Sequence, residues 1–133
     1  MKTKNLKQTF LYLSAVGASI FLLFFVITCT WIGFDVKDQC QKAKGEYGGD
    51  CVEALIAVLN DEGKGYRTRN SAIWALGQLG DSRALPVLES YYTGNIPDRE
   101  PLDGTISQYE LKKAINLTSG GVNLSAPFWR YGI

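Results

Sequence analysis

The stretch that decides the fold is TRNSAIWALGQLGDSRALPVLESYY, which runs from Thr68 to Tyr92. Apolar residues recur at helical spacing in its first half and predict a helix from about Thr68 to Leu79, with Gly80 as a C-terminal stop. A second helix is predicted from Arg83 to Tyr92, with Pro86 near its first turn, where proline is tolerated. The segment therefore predicts a hairpin of two packed helices.

Helical patterns also flank this hairpin. On its N-terminal side, Val36 to Glu46 is polar and weakly helical, and Asp50 stands as an N-cap before the amphipathic segment CVEALIAVLN. On its C-terminal side, a helix is predicted from about Ile106 to Leu117, after a long polar loop from Asn95 to Thr105. No strand pattern of useful length occurs, so the part beyond the N-terminal apolar segment is predicted to be all-α.

The central segment resembles a HEAT repeat of the short type first named from phycobilisome lyases. That pattern has Val-Arg, then Ala, then Ala-Leu-Gly-x-Leu-Gly-Asp, then Ala-Leu-Pro-x-Leu. The matching residues here are Thr68-Arg69, Ala72, Ala75-Leu76-Gly77, Leu79-Gly80-Asp81 and Ala84-Leu85-Pro86 with Leu88. The resemblance covers one full repeat, and Thr68 in place of valine is its one departure. It implies a short α-solenoid of about two and a half HEAT-like helical hairpins over residues 35–118.

The resemblance also implies scaffold roles for Arg69, Gly77, Asp81 and Pro86. The glycine permits close packing of the paired helices, and Asp81 caps the second helix. In longer arrays of such repeats, the equivalents of Arg69 and Asp81 pair along the stack. These are packing roles, so they indicate no ligand.

The N-terminal part has the composition of a membrane anchor. Residues 1–9 carry three lysines and no acid, and residues 10–34 carry no charge. As a helix, residues 10–34 would reach roughly 37 Å, more than the ~30 Å hydrocarbon core of a bilayer. Because the small residues lie inside the apolar run, an uncleaved, single-pass signal anchor is favoured over a cleaved signal peptide. Acylation at Cys29, which ends a lipobox-like Val-Ile-Thr-Cys, is an alternative anchor.

Charge and cysteine usage predict the topology. Of the 14 Lys+Arg residues three precede the span, whereas all 13 Asp+Glu residues follow it. The positive-inside rule then predicts a cytoplasmic N-terminus and an extracytoplasmic repeat domain, periplasmic or extracellular. In such an oxidising compartment Cys40 and Cys51 are expected to form a disulfide bond, and in a cytosolic domain they would be two buried thiols.

The same composition bears on function. The part after the span has no basic excess, so nucleic acid is not expected as a partner. The chain has no His, no G-x-S-x-G motif and no phosphate-cradling loop, so we predict no catalytic residue, cofactor, metal site or small-molecule substrate. The sequence predicts a membrane-tethered, non-catalytic module for protein–protein interaction or scaffolding, with an unidentified protein partner. The alternative is an accessory structural subunit of a larger membrane complex.

Aromatic residues are the candidates for partner contact. Trp74 lies nearly opposite the buried side of its predicted helix, where it either packs on a neighbouring helix or serves as a binding hot spot. Residues 119–133 form a predicted extended tail that carries Phe128, Trp129 and Tyr131. These aromatics either fold back over the last helix, which we favour, or insert into a partner or the membrane surface.

Overall fold

A computed structural model of the chain describes residues 2–101 and 103–133, and their side chains from Asn5 onward. Met1 and the side chains of residues 2–4, in the predicted basic segment 1–9, lie outside the described residues, as does Leu102 in the long loop. The described residues form six α-helices and two short 3-10 turns, at Ser82–Ala84 and Arg130–Gly132. The helices are α1 (Lys2–Tyr47), α2 (Cys51–Asn60), α3 (Tyr66–Leu79), α4 (Leu85–Tyr91), α5 (Gln108–Thr118) and α6 (Ala126–Trp129). No strand occurs among these residues, which confirms the predicted all-α fold.

Helix α1 joins the apolar segment to the repeat domain without a break. The sequence predicted a separate weak helix from Val36 to Glu46, but that stretch continues the apolar helix as far as Tyr47. Val36, Cys40 and Ala43 recur at helical spacing and are at most 3 % exposed, because this end of α1 packs against α2. The predicted boundary between residues 34 and 35 therefore falls inside one continuous helix.

The helices stack as two and a half hairpins, as predicted. The end of α1 pairs with α2, α3 is followed by α4, and α5 packs on both α3 and α4. The helix α2 begins with a capping box, in which the Asp50 carboxylate accepts from the Glu53 N–H at 2.9 Å and the Glu53 carboxylate accepts from the Asp50 N–H. The seven largest fully buried side chains all lie between α1 and α5: Val36, Leu55, Leu59, Ile73, Leu76, Leu88 and Leu111.

Gly77 lies where α3 meets α5. A Cβ atom at this position would stand 2.8 Å from the Cα of Ala114, so only glycine allows the two helices to approach this closely. The resemblance implied close packing within a hairpin, but the contact is between α3 and α5, which belong to successive hairpins.

The second helix of the central hairpin is shorter than predicted. The chain forms a 3-10 turn at Ser82–Ala84 and becomes α-helical only at Leu85, with Pro86 at the start of α4, where it has no intrahelical N–H bond to lose. The Asp81 carboxylate accepts from the Arg83 N–H at 2.9 Å and so caps this 3-10 turn.

Arg69 and Asp81 do not pair with each other here. The Arg69 guanidinium is buried and donates to the Leu59 carbonyl at 2.8 Å, with its charge 5.7 Å from the centre of the Tyr91 ring. Asp81 forms a salt bridge with Arg83 at 2.9 Å instead, and Arg83 also reaches Asp50 at 2.5 Å. Arg69 and Asp81 therefore each have a partner other than the one that longer arrays provide.

Candidate functional site

A trough runs along the domain between α1, α3 and the loop that joins α4 to α5. It consists of two open hollows of about 560 and 590 Å³, and both are lined by Asp35 of α1 and Trp74 of α3. The first hollow extends under the loop toward Asp98 and Glu110. The second extends along α1 toward Trp31, at the end of the apolar segment. Trp74, a predicted partner contact, therefore lies where the two hollows adjoin.

Hydrogen bonds from Asn70 and Glu100 hold the loop wall of the trough in place. The Asn70 side chain donates to the Thr105 carbonyl at 3.0 Å and accepts from the Ser107 N–H at 2.9 Å, which ties the loop to α3. The Glu100 carboxylate accepts from the Ser107 hydroxyl at 2.5 Å and from the Gln108 N–H at 2.7 Å. It therefore occupies the N-terminus of α5, where backbone N–H groups lack helical partners and a negative charge is favoured.

The trough carries a negative charge. Its first hollow is lined by four carboxylates, Asp35, Asp98, Glu100 and Glu110, against one cation, Arg67. Glu100 is bound to the start of α5, and Glu110 pairs with Lys113 at 3.2 Å, whereas Asp35 and Asp98 are exposed to solvent. Carboxylates beside the half-buried indole of Trp74 form surroundings that attract a cationic group.

The sequence did not predict this grouping of residues. Asp98 and Glu100 belong to the predicted polar loop from Asn95 to Thr105, and Asp35 directly follows the predicted span. They meet because the loop folds back over α3, and that contact depends on Asn70 and Glu100 rather than on any periodic pattern. The one available signal was a carboxylate in the loop shortly before the predicted helix, since Glu100 accepts from the Gln108 N–H at the observed start of α5.

The tail aromatics lie at a different place, along α1. The Phe128 ring packs edge-on against Phe25, with ring centres 5.5 Å apart. Trp129 covers Gly33 and donates its indole N–H to the Ser125 hydroxyl at 3.1 Å. Tyr131 is 94 % exposed. The tail was predicted to be extended, but residues 126–132 are helical. Helix α6 packs on α1, where Phe25 and Gly33 offer it an apolar face, and Arg130 in the following turn donates to the Gln78 carbonyl of α3.

The three cysteines are divided between the first hairpin and the tail contact. Cys40 and Cys51 are joined in a disulfide bond with Cα atoms 5.0 Å apart, which links α1 to the first residue of α2. Cys29 is a buried free thiol, 2 % exposed, on the face of α1 that also carries Phe25 and Gly33. The sulfur proposed as an acylation site is therefore covered in the folded chain.

The strongest pKa shifts lie outside the trough, around the first hairpin. The hydrogen bond that Tyr47 donates to Asp61 raises the pKa of Tyr47 to about 12 and lowers that of Asp61. The hydrogen bonds from Arg83 lower the pKa values of Asp50 and Asp81, and these two carboxylates hold the pKa of Arg83 above its usual range. These groups connect helix ends, so their shifts follow from structural hydrogen bonds.

Stacked helical hairpins with a groove along one side define an α-solenoid. A family model for HEAT repeats matches residues 30–100, more than half of the chain and including the end of α1. The chain therefore belongs to the HEAT repeat family, and HEAT repeats generally mediate protein–protein interaction. No solved structure matches the chain.

The chain is also similar to deoxyhypusine hydroxylase of Schizosaccharomyces pombe, with 32 % identity over 84 residues. The match covers 61 % of this chain and 26 % of the hydroxylase, so this chain spans about a quarter of the length of that relative.

This similarity contradicts the predicted function. The sequence predicted a non-catalytic interaction or scaffolding module and no enzymatic activity, with an accessory structural subunit as the alternative, whereas the hydroxylase is an enzyme. That prediction was wrong because it relied on absent motifs. A repeat pattern determines helix packing, and the side chains that project from the framework vary independently of it.

Proposed function

We propose that this chain takes part in a protein-modifying enzyme and holds a cationic side chain of a polypeptide substrate in the trough. The observation that carries the proposal is Trp74, half-buried between the two hollows and lining both of them together with the exposed carboxylate of Asp35. An aromatic face combined with unpaired negative charge is the usual way in which proteins bind an organic cation.

The dimensions of the trough support a polypeptide ligand. Each hollow is within the range of volumes that hold a side chain or a small molecule, about 300–1,000 Å³. Since the hollows are open and adjoin at Asp35 and Trp74, a chain segment is able to lie along them with one long side chain inserted beside Trp74. The relative is named for hydroxylating deoxyhypusine, an amino acid with a cationic side chain, and this agrees with the charge of the groove.

Peptide binding to the full chain in detergent micelles tests the proposal. A lysine-containing peptide is titrated calorimetrically beside the same peptide with acetylated lysine. We expect Trp74→Ala to weaken binding of the lysine peptide about tenfold, because roughly 1–2 kcal/mol of cation–π attraction is lost. Asp35→Asn should weaken it less, and Glu62→Gln, a matched change in the α2–α3 turn, should leave it unchanged. Equal affinities for the lysine and acetyl-lysine peptides would overturn the proposal.

Chemistry on the bound side chain is tested separately. A deoxyhypusine-containing peptide is incubated with the chain, O₂ and a reductant, and its mass is measured. Gain of one oxygen atom that is abolished by Trp74→Ala would assign hydroxylation to this groove. Binding without any gain of mass would restrict the proposal to substrate recognition.

We infer further that the apolar part of α1, residues 10–34, anchors the chain in a membrane as a single-pass helix. The described part of α1 is long and apolar enough to cross a bilayer, and its most apolar stretch is not buried by the rest of the chain. The docking of Phe128 on Phe25 supports an uncleaved helix, because cleavage near residue 29 would remove part of the surface on which the tail packs.

The lysines that precede the span support a cytoplasmic N-terminus with the repeat domain outside. The disulfide between Cys40 and Cys51 agrees with an oxidising compartment. Protease protection of the chain in sealed vesicles tests this orientation. Digestion of the repeat domain from the cytoplasmic side would contradict it.

A further inference from the structure

We propose that the C-terminal tail, residues 122–133, is a second membrane contact that inserts into the bilayer interface beside the span. The proposal rests on the inferred insertion of α1. Five large apolar or aromatic residues of the tail are exposed: Val122, Leu124, Phe128, Tyr131 and Ile133. Arg130 is the single charged residue from 119 onward. A surface of this composition beside an apolar helix is typical of a segment that lies in a lipid interface.

The contacts of the tail place it at the level where the bilayer should end. If the hydrocarbon core begins at Phe10, about 30 Å of helix at 1.5 Å per residue brings its far edge close to Cys29. Phe25 then lies about 6 Å inside that edge, and Gly33 about 6 Å outside it. Since Phe128 packs on Phe25 and Trp129 on Gly33, α6 crosses the boundary between hydrocarbon and headgroups.

Two aromatic residues on another side of α1, where they line the second hollow, lie at the same level along the helix. Trp31 is 76 % exposed and Phe34 is 67 % exposed, and both lie within about 8 Å of the same edge by helical rise. Aromatic side chains of this kind concentrate at membrane–water interfaces. Together with Phe128 and Tyr131 they would form an aromatic collar around one end of the span, where the repeat domain begins.

The hydrogen bonds of the tail suit a lipid environment. In α6, the Phe128 N–H donates to the Ser125 carbonyl at 3.0 Å, and the Arg130 N–H donates to Ala126. The Ser125 N–H donates to the Asn123 side chain at 3.1 Å. Backbone groups that enter hydrocarbon need such internal partners, since lipid tails supply none.

Arg130 fixes the tail to the repeat domain. Its guanidinium donates to the Gln78 carbonyl near the end of α3, at 2.6 and 3.1 Å, so this charge is turned toward protein. The tail therefore connects the membrane-facing part of α1 to α3. Its insertion would fix how close the domain, and with it the trough, lies to the bilayer surface.

Spin labels on single cysteines test the proposal with the full chain in phosphatidylcholine–phosphatidylglycerol vesicles and a Cys29→Ala background. The measured quantity is the ratio of collision rates with O₂ and with a water-soluble nickel chelate, which rises with depth. We expect labels at Phe128→Cys and Tyr131→Cys to show a ratio several times higher than a label at Tyr109→Cys. Tyr109 is an exposed aromatic of α5 that lines the trough and is not part of the tail.

A label at Leu22→Cys separates the two possible failures. Leu22 lies within the apolar segment and is 62 % exposed, so it should show the highest ratio. The proposal would be overturned if the ratio is high at Leu22 but both tail positions show ratios as low as that at Tyr109. A protein partner would then be the better candidate for the tail surface. A water-like ratio at Leu22 would instead contradict the inferred membrane insertion itself. Because the Tyr131 side chain is almost fully exposed, replacing it should leave the tail folded. A low ratio at this position would therefore not be explained by loss of the tail structure.

Discussion

The two ends of the short solenoid are held by different kinds of bond. At the front, the Cys40–Cys51 disulfide links α1 to α2, and the capping box of Asp50 closes the start of α2. At the back, α5 is held by its close approach to Gly77 and by the Glu100 carboxylate at its first turn. Only the front has a covalent link.

This difference shows what a repeat array near the minimum length requires. About three stacked units are usually needed to bury a continuous core, and this chain has two and a half. Each exposed end therefore needs its own reinforcement. We expect the back to open before the front, since its contacts are lost together once α5 separates from α3.

Removing the disulfide should cause the largest loss of stability, and the loss should arise at the front of the solenoid. The double variant Cys40→Ser with Cys51→Ser should lower the free energy of unfolding by about 3 kcal/mol, because the unfolded chain loses a closed loop of sequence separation 11. Thermal and denaturant unfolding of the full chain in micelles measures the loss. Reductant should reproduce the loss in the wild-type protein and add nothing in the variant, and an additional effect on the variant would contradict the assignment.

Gly77→Ala should destabilise the back by about 2 kcal/mol, since the added Cβ would meet the backbone of Ala114 at 2.8 Å and force α3 and α5 apart. Gly45→Ala is the matched control, because that helical position has open space and should gain up to about 1 kcal/mol. Hydrogen exchange should show faster exchange in α5 for Gly77→Ala alone. Equal stability of the two variants would contradict the close packing described here.

Glu100→Gln should have a smaller effect, confined to the back. The amide still accepts a hydrogen bond, but its lost charge no longer favours the α5 N-terminus, at a cost of about 1 kcal/mol. Amides of Gln108 and Tyr109 should exchange faster, since both donate to this carboxylate. Asp103→Asn, an exposed carboxylate in the same loop, should leave their exchange unchanged. Similar protection in both variants would show that the loop is held mainly through Asn70.

The sequence predicts local features of this fold better than contacts between distant segments. Asp50 as an N-cap and α2 as CVEALIAVLN follow from neighbouring residues, and both were predicted with their observed bounds. The continuity of α1 was missed because polar residues after Phe34 suggested a new element, although no proline separates the two parts. The apolar positions Val36, Cys40 and Ala43 were the available signal.

The trough and the docking of the tail could not be predicted from the sequence, for a physical reason. Each depends on pairs more than thirty residues apart, such as Asn70 with Ser107 and Arg130 with Gln78. Side chains of these types form hydrogen bonds in many alternative ways, so their partners are determined by the packed helices and not by spacing. The same freedom explains why a recognisable repeat pattern did not predict a relationship to an enzyme.

The smallest expected effect is a pH dependence at the front. The pKa of Tyr47 is raised to about 12 in the folded chain, whereas an unfolded tyrosine titrates at about 10. The stability that the Tyr47 hydrogen bond contributes to the folded state is therefore fully present below about pH 10 and is lost as the pH rises toward 12. The pKa of Asp61 is lowered by the same hydrogen bond, so its contribution is present above the unfolded value of about 3.9 and is lost as the pH falls through the folded pKa.

Tyr47→Phe should remove the part of the alkaline destabilisation that belongs to this hydrogen bond and reduce the acid-dependent contribution of Asp61. Thermal unfolding from pH 9 to 12 measures the first effect, with the disulfide kept oxidised in both proteins. Tyr109→Phe, which removes a phenol hydroxyl from an exposed position, should retain the wild-type profile. If Tyr47→Phe also followed the wild-type profile throughout this range, the bond between Tyr47 and Asp61 would not stabilise the junction of α1 and α2, and the disulfide and capping box would account for the front.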